Sequence, residues 1–318
     1  MGGQISKQKQ VWQEKKKLEE LQRTEGAEFP GSDFHSTEHK EWMSKLLADQ
    51  AGRDLKIEDI VWPGTHDSAT NKIGIPCVSR PFARCQSCSI YRQLLNGCRV
   101  FDIRVGKNWH VCHGILKTYK IDVVVNDIKR FLSETQSEFI ILEIRTEYGH
   151  EDPPKPEEWL VEQLGDFLIH QDDAVFGKTL AELLPRRVIC IWKPSKAPAP
   201  AAGSPLWSSA RLKDDWIDTD LPYTKFESNV KNLANQPPVS SRKYFYRVEN
   251  TVTPQADNPI LCVKPVTNRI KRYGRLFISQ AFKRGLADRL QVLSSDFIDT
   301  DFVDACIGVT RARMEGKA

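Results

Sequence analysis

Short, almost uninterrupted apolar runs recur along this chain, and each is followed by a stretch patterned like a helix. "EFIILEIR" at 138–145 and "RVICIW" at 187–192 show the run type most clearly. A strand that is apolar on both faces must be covered on both faces, which is the condition of a parallel sheet clothed in helices. Strands are expected at 57–62, 98–105, 109–113, 138–146, 187–192, 243–248 and 290–295. Helices are expected at 89–97, 122–134, 156–170, 178–184, 221–235, 260–273 and 299–311. So many βα units in 318 residues predict an α/β fold, a TIM-type (β/α)8 barrel. One strand is hard to place in 250–289, where "RLFISQAF" suits strand or helix, so the barrel is expected to be irregular or incompletely closed.

Residues 1–35 read as a polar N-terminal arm with a helix over 8–22, ended by "FPGSDFHS". Trp42, Leu46 and Leu47 share one face of a helix over 38–50. Residues 36–318 form the barrel domain. "KPSKAPAPAAGSPLWSS" at 193–209 follows a strand end and belongs on the rim as an extended loop. Apolar residues make up 40% and charged residues 28%, the balance of a globular chain with a substantial core. A net charge of +4 without a basic tract interleaved with aromatics argues against nucleic acid. No run reaches the ~18 apolar residues of a membrane span, and the first residues lack the apolar stretch of a secretory signal.

The chain opens "MGGQISKQKQ", which fits the pattern for N-myristoylation of Gly2. A single acyl chain holds a membrane weakly. Lys7, Lys9, Lys15, Lys16 and Lys17 are the expected second, electrostatic attachment to anionic lipid. The expected location is thus the cytoplasmic face of a membrane, the plasma membrane in particular. Of the eight cysteines, Cys85 and Cys88 form a lone CxxC without the partner spacing of a zinc site; reduced thiols are expected.

Four strand ends carry ionisable groups. They are His66 and Asp67 after "IEDIVWPGT", Asp102 and Arg104 in "CRVFDIRV", His113 in "WHVCHG", and Asp296 in "LQVLSSDF". In a barrel these ends meet on the face where loops build catalytic sites. Displacement at a phosphodiester needs a proton acceptor, a proton donor and fixed positive charge on the non-bridging oxygens. Two histidines and an arginine supply that set near neutral pH.

"PGTHDS", "FDIR", "HG" and the late "DF", in this order, resemble the X domain of phosphatidylinositol-specific phospholipase C over roughly residues 55–310. The closest likeness is to the small single-domain PLC-like phosphodiesterases of plants. The resemblance implies that His66 is the general base on the inositol 2-hydroxyl and that Asp296 holds its tautomer. It implies that His113 is the general acid, assisted by Asp67, and that Arg104, beside Asp102, clamps the phosphate. The larger eukaryotic relatives bind calcium with acidic and amide residues at these strand ends. Here Arg104 and, on the fourth strand, Arg145 stand in those places. Guanidinium offers calcium no oxygen, so a calcium-independent enzyme without a cofactor is expected.

Lys193, Arg247 and Glu249 are the expected head-group contacts, and Trp109, Trp192 and Trp207 are candidates for a membrane-facing rim. The reading is a monomeric phosphodiesterase releasing diacylglycerol and a cyclic inositol phosphate from an inositol phospholipid. Two others compete with it: a catalytically silent lipid-binding or scaffold protein on the same fold, and a metal-dependent glycerophosphodiesterase.

Overall fold

The computed structural model describes residues 2–49 and 54–318, with side chains from residue 6 onward. Gln50, the last residue of the helix expected at 38–50, lies outside the described residues. Among the described residues ten strands form: β1 Trp62–Thr65, β2 Val100–Val105, β3 His110–His113, β4 Leu116–Lys120, β5 Ile140–Thr146, β6 Val188–Lys193, β7 Trp207–Ser208, β8 Leu212–Asp214, β9 Phe245–Asn250 and β10 Val292–Ser295. Eight of them run β7-β6-β5-β2-β1-β10-β9-β8, all paired in parallel. β3 and β4 are an antiparallel hairpin attached to the end of β2, at Val105 opposite Val111.

The expected barrel is therefore present and nearly closed. Its seam is at β7 and β8, which are one stretch of chain broken by a helical turn at Ser209–Arg211. The chain pairs with β6 before that turn and with β9 after it. The strand missing from the sequence reading lies here and not at 250–289. "RLFISQAF" lies within the helix Gly274–Lys283, which buries Leu276, Phe277 and Ile278. The two strand pieces were invisible because two or three residues are too few to show a period.

β1 corrects a second expectation. The strand expected at 57–62 starts only at Trp62, and Ile57–Asp59 is a helical turn. Pro63 and Gly64 lie inside β1 and do not end it. Gly64 is required by proximity: a Cβ there would stand 2.5 Å from the Ser294 hydroxyl and 3.1 Å from the Val100 Cβ. The reversal comes at Asp67, whose φ of +43° is left-handed, a conformation that Asp tolerates better than most residues.

The helix Gly2–Glu25 is longer than the one expected at 8–22, and it packs against the helix Pro222–Ala234. Leu18 joins the same apolar cluster as Phe226 and Leu233. Lys7 pairs with Asp220 at 3.0 Å and Asp257 at 3.2 Å, and Lys17 lies over the Tyr223 ring. Lys16 lies over the Trp12 ring of the same helix, so three of the five lysines assigned to anionic lipid are engaged with the protein itself.

At the opposite end from the site, Arg99 and Glu138 sit just before β2 and β5. Arg99 reaches Glu138 at 2.6 Å and caps the carbonyls of Leu94, Cys98 and Lys40. Both side chains are 0% exposed. Removing one member of such a pair strands the other charge in the interior. Arg99→Ala should therefore lower the unfolding free energy by about 3–5 kcal/mol, read as a shift of the urea midpoint at unchanged slope.

Candidate active site

The turns after β1 and β10 are built alike. His66 precedes Asp67 and Asp296 precedes Phe297, and both second residues have positive φ, +43° and +46°. β1 and β10 are neighbours in register, Thr65 beside Ser295, so the two turns bring His66 and Asp296 together. His66 Nδ1 donates to Asp296 Oδ1 at 2.8 Å, and the Thr267 hydroxyl donates to Asp296 Oδ2 at 2.7 Å. Gln86 holds the carbonyls of His66 and Ser295 with one amide nitrogen. Trp216 stacks on the imidazole at 5.4 Å.

Arg104 is the hub of the site. Nη2 donates to His66 Nε2 at 2.8 Å, Nε lies 3.0 Å from Asp67 Oδ1, and Asp102 Oδ2 is 3.0 Å from Nη2. Glu147, just past β5, stands 3.8 Å from Nη1. Burial works against the charge on Arg104, but Asp102 and Asp67 outweigh it and push its pKa further up. Burial likewise opposes ionisation of Asp102, yet Arg104 and then Arg247 hold that carboxyl well below the usual range.

His113 stands at the end of β3. Its Nδ1 donates to the Ala83 carbonyl at 2.7 Å, and its Nε2 lies 3.5 Å from Asp67 Oδ2. The same oxygen is 3.6 Å from His66 Nε2. The two imidazoles therefore meet across one carboxylate, with Arg104 alongside.

All of this opens into a cavity of ≈ 870 Å³. Arg145, Lys193, Arg247 and Glu249 line it together with His66, Arg104, His113 and Asp296. Arg247 is fixed by Glu143 at 2.6 Å and by Asp214 and Glu249, both at 2.7 Å. Every expected catalytic and head-group residue is thus at one site.

The expected aromatic rim is not at this site. Trp192 and Trp207 are buried, and Trp109 packs on Trp159 and Trp192. The exposed apolar residues that line the cavity are Phe82, Tyr148, Trp216 and Leu261. The sequence reading also missed Glu147, Thr267, Cys85, Asp214 and Trp216. Glu147 follows a strand as directly as His66 does and was legible on that ground. Asp214 ends β8 and Trp216 follows it, and that strand left no sequence signal.

Calcium does not fit these residues. It requires roughly six to eight oxygens, and the oxygens available here, from Asp67, Asp102 and Glu147, already surround a guanidinium. What the arrangement can do is move protons at a bound phosphate: one imidazole oriented by a carboxylate, a second facing it, and fixed cations between.

Residues 61–189 match the family profile described as phosphatidylinositol-specific phospholipase C, X domain. Over that stretch the chain is similar to this family. It is 32% identical over 120 residues to 1-phosphatidylinositol phosphodiesterase of Listeria monocytogenes, covering 37% of this chain and 36% of that one. It is 26% identical over 245 residues to a PI-PLC X-box domain-containing protein of Dictyostelium discoideum, covering 68% of this chain and 33% of that one. The chain thus aligns with about a third of the length of these curated relatives.

The fold matches phosphatidylinositol-specific phospholipase C from L. monocytogenes with a TM-score of 0.67 at 18% identity, over 86% of this chain and 99% of that chain. A variant of the Staphylococcus aureus enzyme matches with a TM-score of 0.62 at 21% identity, over 87% of this chain and 99% of that chain.

The site carries a titration signature. Burial opposes protonation of His66, but Asp296 and Asp67 outweigh it and lift the ring to about 9. Because this pKa lies above the ordinary imidazole value of about 6.5, the stability it lends is full below that value and is lost as pH rises through about 9. NMR titration of the ring should show a midpoint near 9. In Asp296→Asn the strongest raising influence is gone, and the midpoint should fall toward the ordinary value. An unmoved midpoint would contradict the pairing.

Proposed function

We propose that the chain is a metal-independent phosphodiesterase that cleaves phosphatidylinositol-type lipids to diacylglycerol and a cyclic inositol phosphate. The observation that carries this reading is the meeting of His66 Nε2 and His113 Nε2 over one Asp67 oxygen, 3.6 and 3.5 Å away, with Arg104 in contact.

Arg104 can donate only to the neutral His66, the form that can take a proton and that gains population as pH rises toward about 9. A lipid phosphate arriving in the cavity offers Arg104 a better acceptor and frees Nε2. His66 then removes the proton from the inositol 2-hydroxyl, whose oxygen attacks phosphorus. The bond from phosphorus to the diacylglycerol oxygen breaks, and His113 gives that oxygen its proton from Nε2. Asp296 keeps the proton of His66 on Nδ1 and steadies the imidazolium that forms. Asp67 holds Arg104 and faces His113 Nε2 at 3.5 Å. Arg145, Lys193, Arg247 and Glu249 border the space for the inositol ring.

The mouth suits a lipid substrate. Tyr148 is 94% exposed and Ile115, beside His113, is 90% exposed; apolar groups at a polar mouth fit a membrane surface. Lys7 pairs with Asp220 and Asp257, close in sequence to the cavity-lining Trp216, Asp218 and Leu261. The start of the N-terminal helix is therefore on the mouth side. Acylation of Gly2 would place the mouth against the cytoplasmic face of the plasma membrane. Gly2→Ala should move the protein from membrane to soluble fractions of cells; an unchanged distribution would exclude the anchor.

In the presence of chelator, the protein should release diacylglycerol from phosphatidylinositol vesicles. His66→Ala and His113→Ala should each lose about 10²–10⁴-fold in kcat. Undiminished turnover in either variant, or turnover that appears only with added divalent cation, would overturn the reading.

A further inference from the structure

Acid–base chemistry gives Cys85 no task, although its thiol lies at the centre of the site. Its amide donates to the Thr70 hydroxyl at 3.0 Å, and its carbonyl accepts from the Phe297 amide at 2.8 Å. The backbone is thus tied on both sides and the thiol cannot drift. Sγ stands 3.8 Å from Asp67 Oδ2, the oxygen that His113 Nε2 approaches to 3.5 Å. The three donor atoms lie within 4.8 Å of one another. Around tetrahedral zinc, with bonds of about 2.0–2.3 Å, ligand atoms are separated by roughly 3.3–3.6 Å. The two separations to Asp67 Oδ2 need to close by no more than a few tenths of an ångström, and Sγ and Nε2 by at most about 1.5 Å.

The surroundings of His113 favour coordination. The Ala83 carbonyl binds His113 Nδ1–H, so the neutral ring presents its lone pair on Nε2; a backbone carbonyl often fixes a metal-binding imidazole in this way. His113 borders the cavity and is only partly buried, which leaves an entry route and an open fourth position. Arg104 engages the other oxygen of Asp67, and Asp102 and Glu147 offset its charge. The alternative set of His66, Cys85 and Asp296 is less available, because both Asp296 oxygens already accept hydrogen bonds.

We propose that Cys85, Asp67 and His113 form an inhibitory site for a thiophilic divalent cation of the Zn²⁺ type. The cation bonds to Sγ, Oδ2 and the Nε2 of the neutral His113 ring, and the thiol proton passes to solvent; nothing is oxidised or reduced. Thiolate and imidazole select Zn²⁺ and similar ions over Ca²⁺ or Mg²⁺. A metallated His113 has no proton to give, so turnover stops.

The metal arm of the test uses Co²⁺ alone with the full chain. The wild type should develop a thiolate-to-cobalt charge-transfer band that saturates at one equivalent and is erased by Zn²⁺. Cys85→Ser and Cys85→Ala should lack the band, and Cys77→Ser should keep it. The activity arm rests on the phosphodiesterase reading. Zn²⁺ should inhibit cleavage of phosphatidylinositol vesicles reversibly, and the Cys85 variants, each scaled to its own metal-free rate, should need at least about tenfold more. No band in the wild type, a band that survives in both Cys85 variants, or equal Zn²⁺ sensitivity overturns the proposal. A band in a chain without turnover upholds the metal site and removes the phosphodiesterase reading instead.

Discussion

A guanidinium held among carboxylates, with an imidazole on its open edge, governs this molecule. Burying Arg104 is tolerable because Asp67, Asp102 and Glu147 surround it; an unpaired charge at that depth would cost several kcal/mol. The register of the sheet extends the pattern. Arg104 lies beside Arg145 and Arg145 beside Lys193, while Asp102 lies beside Glu143 one step deeper. A row of cations thus borders the mouth above a row of anions, so an anion entering the cavity meets positive groups already oriented. That preorganisation is the largest single contribution such a site can make to phosphoryl chemistry.

Local strain serves the same end. The left-handed residues at Asp67 and Phe297 turn two neighbouring strands in the same way and aim His66 and Asp296 at each other. The backbone conformations are held by the Asp67 amide on Asp102 and by the Phe297 amide on the Cys85 carbonyl. The segment carrying Cys85 therefore supports the floor of the site as well as lining it. The N-terminal helix adds support from outside, since Lys7 reaches Asp220, which also receives Arg269 and Asn258.

The sequence made the barrel and the cluster of ionisable groups at its strand ends legible because both depend on short-range pattern. Apolar runs such as "EFIILEIR" mark buried strands, and ionisable groups at their ends collect wherever the fold is parallel. Other parts depend on tertiary packing and left no local trace. β7 and β8 take their strand form from β6 and β9, and with them went Asp214 and Trp216. Pro63 and Gly64 read as a turn, because only the closeness of Ser294 and Val100 makes a glycine necessary within a strand. Trp192 and Trp207 looked suited to a rim, but strand alternation turns them into the core, and Tyr148 and Phe82 on loops hold the exposed positions. The lysines of the first helix looked free because their partners, Asp220 and Tyr223, are some two hundred residues away in the chain.

The most direct test of the account is phosphorus NMR of the products formed from phosphatidylinositol vesicles in chelator. Attack by the inositol's own hydroxyl, relayed between His66 and His113, predicts a cyclic inositol phosphate as the first product, with any open phosphate appearing later. An open phosphate from the outset, or no product until a divalent cation is restored, would contradict it.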